Sequence, residues 1–150
     1  MSRSKLLGGA AVLATIAIAA SGAGIAQDAI SQRKATMKSF GGSAKAGSDM
    51  VKGTVPFDAA KAEQAMGTIA SGAATIPKLF PAGSDSGETR ASPKIWQDRA
   101  GFEANATKLA TDAAAAQKAA ATGAEAFKAA FGNVAKNCDS CHETYRTPRK

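Results

Sequence analysis

Beyond Ala26 the chain is rich in alanine and poor in valine and isoleucine, and apolar and polar residues nowhere alternate for long. Alanine is the strongest helix former, whereas a strand needs β-branched or aromatic residues with period-two patterning. The chain is therefore confined to helices. Pro56, Pro77, Pro81 and Pro93, with glycine-bearing stretches around Gly47, Gly53, Gly83, Gly87 and Gly123, cut it into four helical segments.

The first segment, from about Gln27 to Asp49, sets Ile30, Arg33, Met37 and Phe40 on one face, with Gly41 and Gly42 weakening its middle. The second runs from about Asp58, an N-cap, to Ala74, with Ala62, Met66, Ile69 and Ala73 as its apolar stripe. After a polar, aperiodic loop, Ser92 and Pro93 announce a third helix carrying Ile95, Trp96, Phe102, Ala106, Leu109 and Ala113 to about Ala120. The fourth begins near Gly123 and aligns Phe127, Phe131, Val134, Cys138, Cys141, His142 and Tyr145 before Pro148 ends it. Four amphipathic helices with short connections predict an all-α, antiparallel up-down-up-down four-helix bundle. Its alanine-rich faces supply little volume, which suits a large apolar ligand in the core.

Ahead of this lies a separate segment. Arg3 and Lys5 precede an uncharged apolar run from Leu6 to about Ala20, followed by small residues, the layout of a secretory signal peptide. The run is short for a membrane span, which takes about 20 apolar residues. Gly24 and Ala26 place cleavage after residue 26, leaving one domain at 27–150 in the periplasm. Loss of Arg3 and Lys5 lowers the formal charge from +7 to +5. The basic residues are spread along the chain, apart from Arg146, Arg149 and Lys150 at its end, and aromatics are few. That pattern excludes a nucleic-acid stripe with stacking platforms and suits acidic protein partners.

Export makes the two cysteines the central question, since a pair in an oxidising space becomes a disulfide unless another group claims the sulfurs. They stand in Cys138-Asp139-Ser140-Cys141-His142, the C-x-x-C-H pattern of c-type haem attachment. On a helix, positions three apart share a face, so both sulfurs reach one porphyrin edge and the next residue presents an imidazole to the iron. A structural or redox-active disulfide and a zinc site compete with this reading. Zinc needs a fourth ligand, and these are the chain's two cysteines and its one histidine. A redox disulfide needs a βαβ context. A single histidine also removes bis-histidine ligation, so methionine, lysine, tyrosine, water or a vacancy completes the iron. Of Met37, Met50 and Met66, Met37 is best placed, mid-helix on the face of Ile30 and Phe40.

The motif near the C-terminus, together with RKATM at 33–37, VPFDAAKAE, KLFP, SPKIW at 92–96 and AFGNVAKNCDSCHETYR, resembles the class II c-type cytochromes, the cytochrome c′ family, over essentially all of 27–150. The resemblance implies one covalent haem c on Cys138 and Cys141 with His142 as proximal ligand. In its high-spin branch the iron is five-coordinate; in its low-spin branch a methionine binds it. Met37 matches that distal position, and KLFP with SPKIW looks more like the low-spin members. Arg33 matches an arginine that contacts a haem propionate, and Trp96 a residue packed near the haem. The loop at 83–91 departs from the family pattern, so no haem contact carries over there.

The resemblance thus implies a one-electron carrier with His/Met ligation, the alternative being a five-coordinate protein that binds nitric oxide or carbon monoxide. An enzyme is not expected, since no second histidine serves as acid-base catalyst. Pairing into homodimers is a further implication of the family.

Overall fold

The computed structural model describes residues 19–148. The signal-peptide expectation falls mostly on residues 1–18, outside the described ones, as do Arg149 and Lys150. The helices are α1 (Ala19–Val51), α2 (Ala59–Ala73), the short α3 (Lys94–Gln97), α4 (Arg99–Thr122) and α5 (Ala124–Tyr145), with a 3₁₀ turn at Ile76–Leu79. The four long ones form the expected bundle, and among the described residues none is long and apolar enough to cross a membrane.

α1 is longer than its periodicity suggests. It begins upstream of the expected cleavage point and passes through Gly41 and Gly42 unbroken. Two bare glycines are too few to break a helix whose flanking turns are held by packing. α2 starts where expected, with the Asp58 carboxylate accepting from Lys61 N at 3.1 Å, and its whole predicted stripe is buried.

The third helix is a correction to the sequence reading. The stretch from Ser92 to Ala120 is not one helix but two, parted at Asp98, which has φ −121° and ψ 60°. The Asp98 carboxylate caps α4 through Gly101 N at 3.1 Å and accepts from Tyr145 Oη of α5 at 2.8 Å. A tertiary bond therefore holds the residue in the cap position, overriding continuous local propensity.

Alanine decides how closely the helices approach. Ala62, Ala65 and Ala73 of α2 meet Ala106, Ala113, Ala116 and Ala120 of α4, all buried, and this pair forms the most extensive contact in the bundle. α4 packs on α5 nearly as extensively, but α1 touches α5 at few points. Phe40 of α1 lies over Gly72 of α2, where an added Cβ would fall 2.5 Å from its ring, and Phe131 fills the same role at Gly47. One end of the core is closed by Phe57, Phe127 and Phe131, with successive ring centroids 5.7 and 5.6 Å apart. At the other end α1 and α5 leave a gap.

Gly123 alone joins α4 to α5, at φ 132° and ψ 175°, a conformation open essentially to glycine. Gly123→Ala is expected to destabilise the protein by about 1–3 kcal/mol, measured by urea denaturation of the haem-loaded protein. An unchanged midpoint would mean that the turn relaxes into another geometry.

Candidate haem site

The gap between α1 and α5 is a cavity of about 860 Å³, near the upper end of the range for ligand pockets, with a predominantly apolar wall. α1 lines it with Ile30, Arg33, Lys34, Met37, Phe40, Gly41 and Ala44, one helical face. α4 contributes Phe102, Asn105, Ala106 and Leu109. α5 contributes Asn137, Cys138, Cys141, His142 and Tyr145.

The three residues of the C-x-x-C-H motif are thus together on this wall. Both cysteines are free and half-buried. Burial pushes both thiols up; Asp139 adds to the effect at Cys138, and Cys138 to that at Cys141. Burial pushes the His142 imidazole down, and the Arg146 cation reinforces this, so the neutral ring with a lone pair for a metal is favoured.

Met37 lies on the α1 wall with 36% of its surface exposed, whereas Met66 and Met50 are buried in the core away from the cavity. Arg33 is on the wall but is no solvated charge, being only 5% exposed. Its Nε donates to Leu79 O at 2.6 Å, Nη2 to Ser84 O at 2.9 Å and to Ser84 Oγ, and Nη1 to Thr89 Oγ1 at 3.4 Å. Its guanidinium sits 4.2 Å from the centre of the Phe80 ring. Trp96 does not itself line the cavity but packs behind the wall residue Phe80. Its Nε1 donates to Pro81 O at 3.1 Å and its ring packs 6.1 Å from Phe80, so it braces the loop from outside.

The structure adds residues that sequence reasoning left without a role. Glu88, Thr89, Arg90 and Ala91 form part of the wall, because residues 80–91 cross from α1 to the end of α5 as a strap. Ala91 bridges Arg146, Ser92 N donates to Tyr145 O at 3.0 Å, and Thr147 N donates to Arg90 O at 2.9 Å. Such an aperiodic segment carries no local signal of where it docks. Asn137 is a second addition: Nδ2 donates to Asp112 at 3.3 Å, but its buried Oδ1 has no partner.

These features fit a covalently held haem. The cavity has room for a macrocycle, and an added Cβ at Gly41 would meet nothing within 4 Å. The wall also carries Arg33, Lys34, Arg90 and Arg146 against one carboxylate, Glu88. An apolar cavity with surplus cations at its rim suits an apolar ring that bears carboxylates.

Comparison with known proteins agrees. The family model described as Cytochrome C′ matches residues 28–146. A cytochrome c′ of Rhodopseudomonas palustris is 40% identical over 141 residues, 93% of this chain and 96% of the relative. A cytochrome c-556 of Agrobacterium fabrum is 38% identical over 83% of this chain and 85% of its own length. The solved structure of cytochrome c′ from Rhodopseudomonas palustris superposes with a TM-score of 0.78, covering 82% of this chain and 98% of that one.

Tyr145 closes one edge of the cavity. Burial and the bond to Asp98 push its hydroxyl up to about 12, above the ordinary 10. A raised folded-state value means stability that is intact below pH 10 and lost as pH rises through about 12. The stability advantage of the native protein over Tyr145→Phe should therefore shrink from about pH 10 toward 12 in a denaturation series. An advantage independent of pH would show that the hydroxyl does not prefer its neutral form in the fold.

Proposed function

Since this chain belongs to the cytochrome c′ family, whose cofactor is one covalently bound haem c, we propose that it is an exported haem protein that takes nitric oxide or carbon monoxide at a five-coordinate iron. Cys138 and Cys141 would hold the haem by thioether bonds, and His142 would present its neutral imidazole to the iron. When bound there, the haem would supply a one-electron centre that also takes small gas ligands.

The observation that carries this reading is the apolar wall of α1. Ile30, Phe40 and Ala44, with no side chain at Gly41, present a surface that suits a small uncharged molecule. A point mutant of a cytochrome c′ from Alcaligenes xylosoxidans, 27% identical with a TM-score of 0.74, has been solved as a nitric oxide complex, which supports the same use of the site. Neither role makes the protein an enzyme: His142, the one histidine, holds the iron and leaves none for acid-base catalysis.

One observation favours a second reading. Among the described residues Met37 is the one thioether on the cavity wall, and its binding to iron would give a six-coordinate, low-spin electron carrier. Redox partners in the periplasm would then meet the basic rim of the site with acidic surfaces, and their association would slow as salt rises. Paired copies suit either reading: a cytochrome c′ 30% identical to this chain shows ligand-controlled dimer dissociation.

Optical spectra of the purified protein, oxidised and reduced, with and without carbon monoxide, separate the two. The open-site reading expects a broad high-spin spectrum that carbon monoxide shifts, and little change in Met37→Ala. A sharp low-spin spectrum unmoved by carbon monoxide, turned high-spin by Met37→Ala, would replace it with the electron carrier.

A further inference from the structure

Tyr145 is the chain's one tyrosine. It stands one turn after Cys141 on α5, is buried, and lines the cavity. Its Oη donates to Asp98 Oδ2 at 2.8 Å. Tyr145, then Gly101 N and Lys94, hold the Asp98 carboxyl below the usual carboxylate range, so the acceptor is ionised. The bare backbone of Gly101 makes room for the pair, since an added Cβ there would fall 2.6 Å from Tyr145 Oη. The hydroxyl thus fixes the α4 cap, and it also sets an oxidisable phenol and its proton acceptor against the haem cavity.

Aromatic rings lead away from this pair. Tyr145, Phe102, Phe80 and Trp96 follow one another with centroids 5.3, 4.9 and 6.1 Å apart, and Trp96, the chain's one tryptophan, is half-buried. Cations stand over the later rings. Arg99 Cζ lies 5.9 Å from the centre of Phe102, and Arg33 Cζ lies 4.2 Å from that of Phe80 and 5.8 Å from that of Trp96. Like charges at such separations repel, so a positive hole on these rings is disfavoured. Tyr145 escapes the penalty, because passing its proton to Asp98 leaves an oxidised ring that is neutral.

We propose that Tyr145 is a redox-active residue, giving one electron to the haem centre when a peroxide enters the cavity and its phenolic proton to Asp98. The proposal rests on haem occupying this cavity through Cys138, Cys141 and His142, with a position open to small molecules. Hydrogen peroxide is small and uncharged, the class of molecule that the α1 wall suits. It becomes two waters when its O–O bond breaks and it takes up two electrons and two protons. One electron comes from ferrous iron, which ends ferric. The other comes from Tyr145, whose O–H bond breaks as the proton passes to Asp98 Oδ2, while the two protons for water come from solvent. The donor and acceptor oxygens are already within the reach that proton transfer needs. A phenol that has lost an electron is a far stronger acid than a carboxylic acid, so the transfer runs toward Asp98. What remains is a neutral phenoxyl radical beside a protonated carboxyl group.

The test is freeze-quenched electron paramagnetic resonance of the reduced, haem-loaded protein mixed with equimolar hydrogen peroxide, with ring-deuterated tyrosine or tryptophan incorporated to assign the radical. The mass of the denatured protein and the carbon monoxide spectrum come first. Absence of covalent haem, or a spectrum unmoved by carbon monoxide, would sink the underlying reading and this proposal with it, and is seen separately. The expected signal is narrowed by deuterated tyrosine, forms more slowly in D2O and is lost in Tyr145→Phe. Asp98→Asn keeps a capping oxygen but cannot take the proton, so most of the signal should be lost while covalent haem and helix content are retained. A signal narrowed by deuterated tryptophan instead, or no radical signal at all, overturns the proposal. An undiminished signal in Asp98→Asn would overturn Asp98 as the proton acceptor.

Discussion

Alanine-faced helices can approach closely, but they cannot fill space where they diverge. In this bundle α2 and α4 exploit the first property, and the second shows where α1 diverges from α5. Ala62, Ala73, Ala113, Ala116 and Ala120 are buried between α2 and α4, while α1 departs from α5 and leaves a cavity that no side chain among the described residues occupies. Protein interiors are packed like organic crystals, so a void of this size is costly unless something fills it. The haem is thus part of the core as well as its chemistry. A covalent attachment suits that double role, because a core element free to leave would take the packing of α1 with it.

The polar residues around the void follow from the same constraint. A guanidinium as buried as Arg33 loses hydration, and burial lowers its affinity for a proton. No carboxylate among the described residues forms an ion pair with it, so carbonyl and hydroxyl oxygens of the strap and the face of Phe80 replace the water. That substitution ties an aperiodic segment to α1. The segment's other end is tied to the last turn of α5 through Ala91, Ser92 and Arg90, next to His142. One arginine and one short stretch of backbone pairing therefore couple the two helices that scarcely touch.

This division explains what the amino-acid sequence reveals and what it conceals. The four helices, the Asp58 cap and the grouping of Cys138, Cys141 and His142 are written locally, in periodicity and spacing, and all are found. The break at Asp98 is not, because its cause is a hydroxyl 47 residues away, on Tyr145. The wall residues Glu88 to Ala91 are equally silent, since a strap has no period and its docking depends on Arg33. Trp96 is legible only in part: an aromatic at helical spacing packs against something, and here that partner is the wall residue Phe80.

The face of α1 along the cavity differs from residue to residue in how firmly each side chain is held. Ile30, Arg33, Met37, Phe40 and Ala44 follow one another at helical spacing along the cavity. Arg33 and Phe40 are both immobilised, the first by the strap and the second against Gly72. Met37, between them, retains over a third of its surface. An unbranched thioether there turns toward the cavity or away from it at little conformational cost. What is held is the helix that carries it: the Phe40 contact with α2 and the Arg33 clamp on the strap fix α1 one turn to either side of Met37.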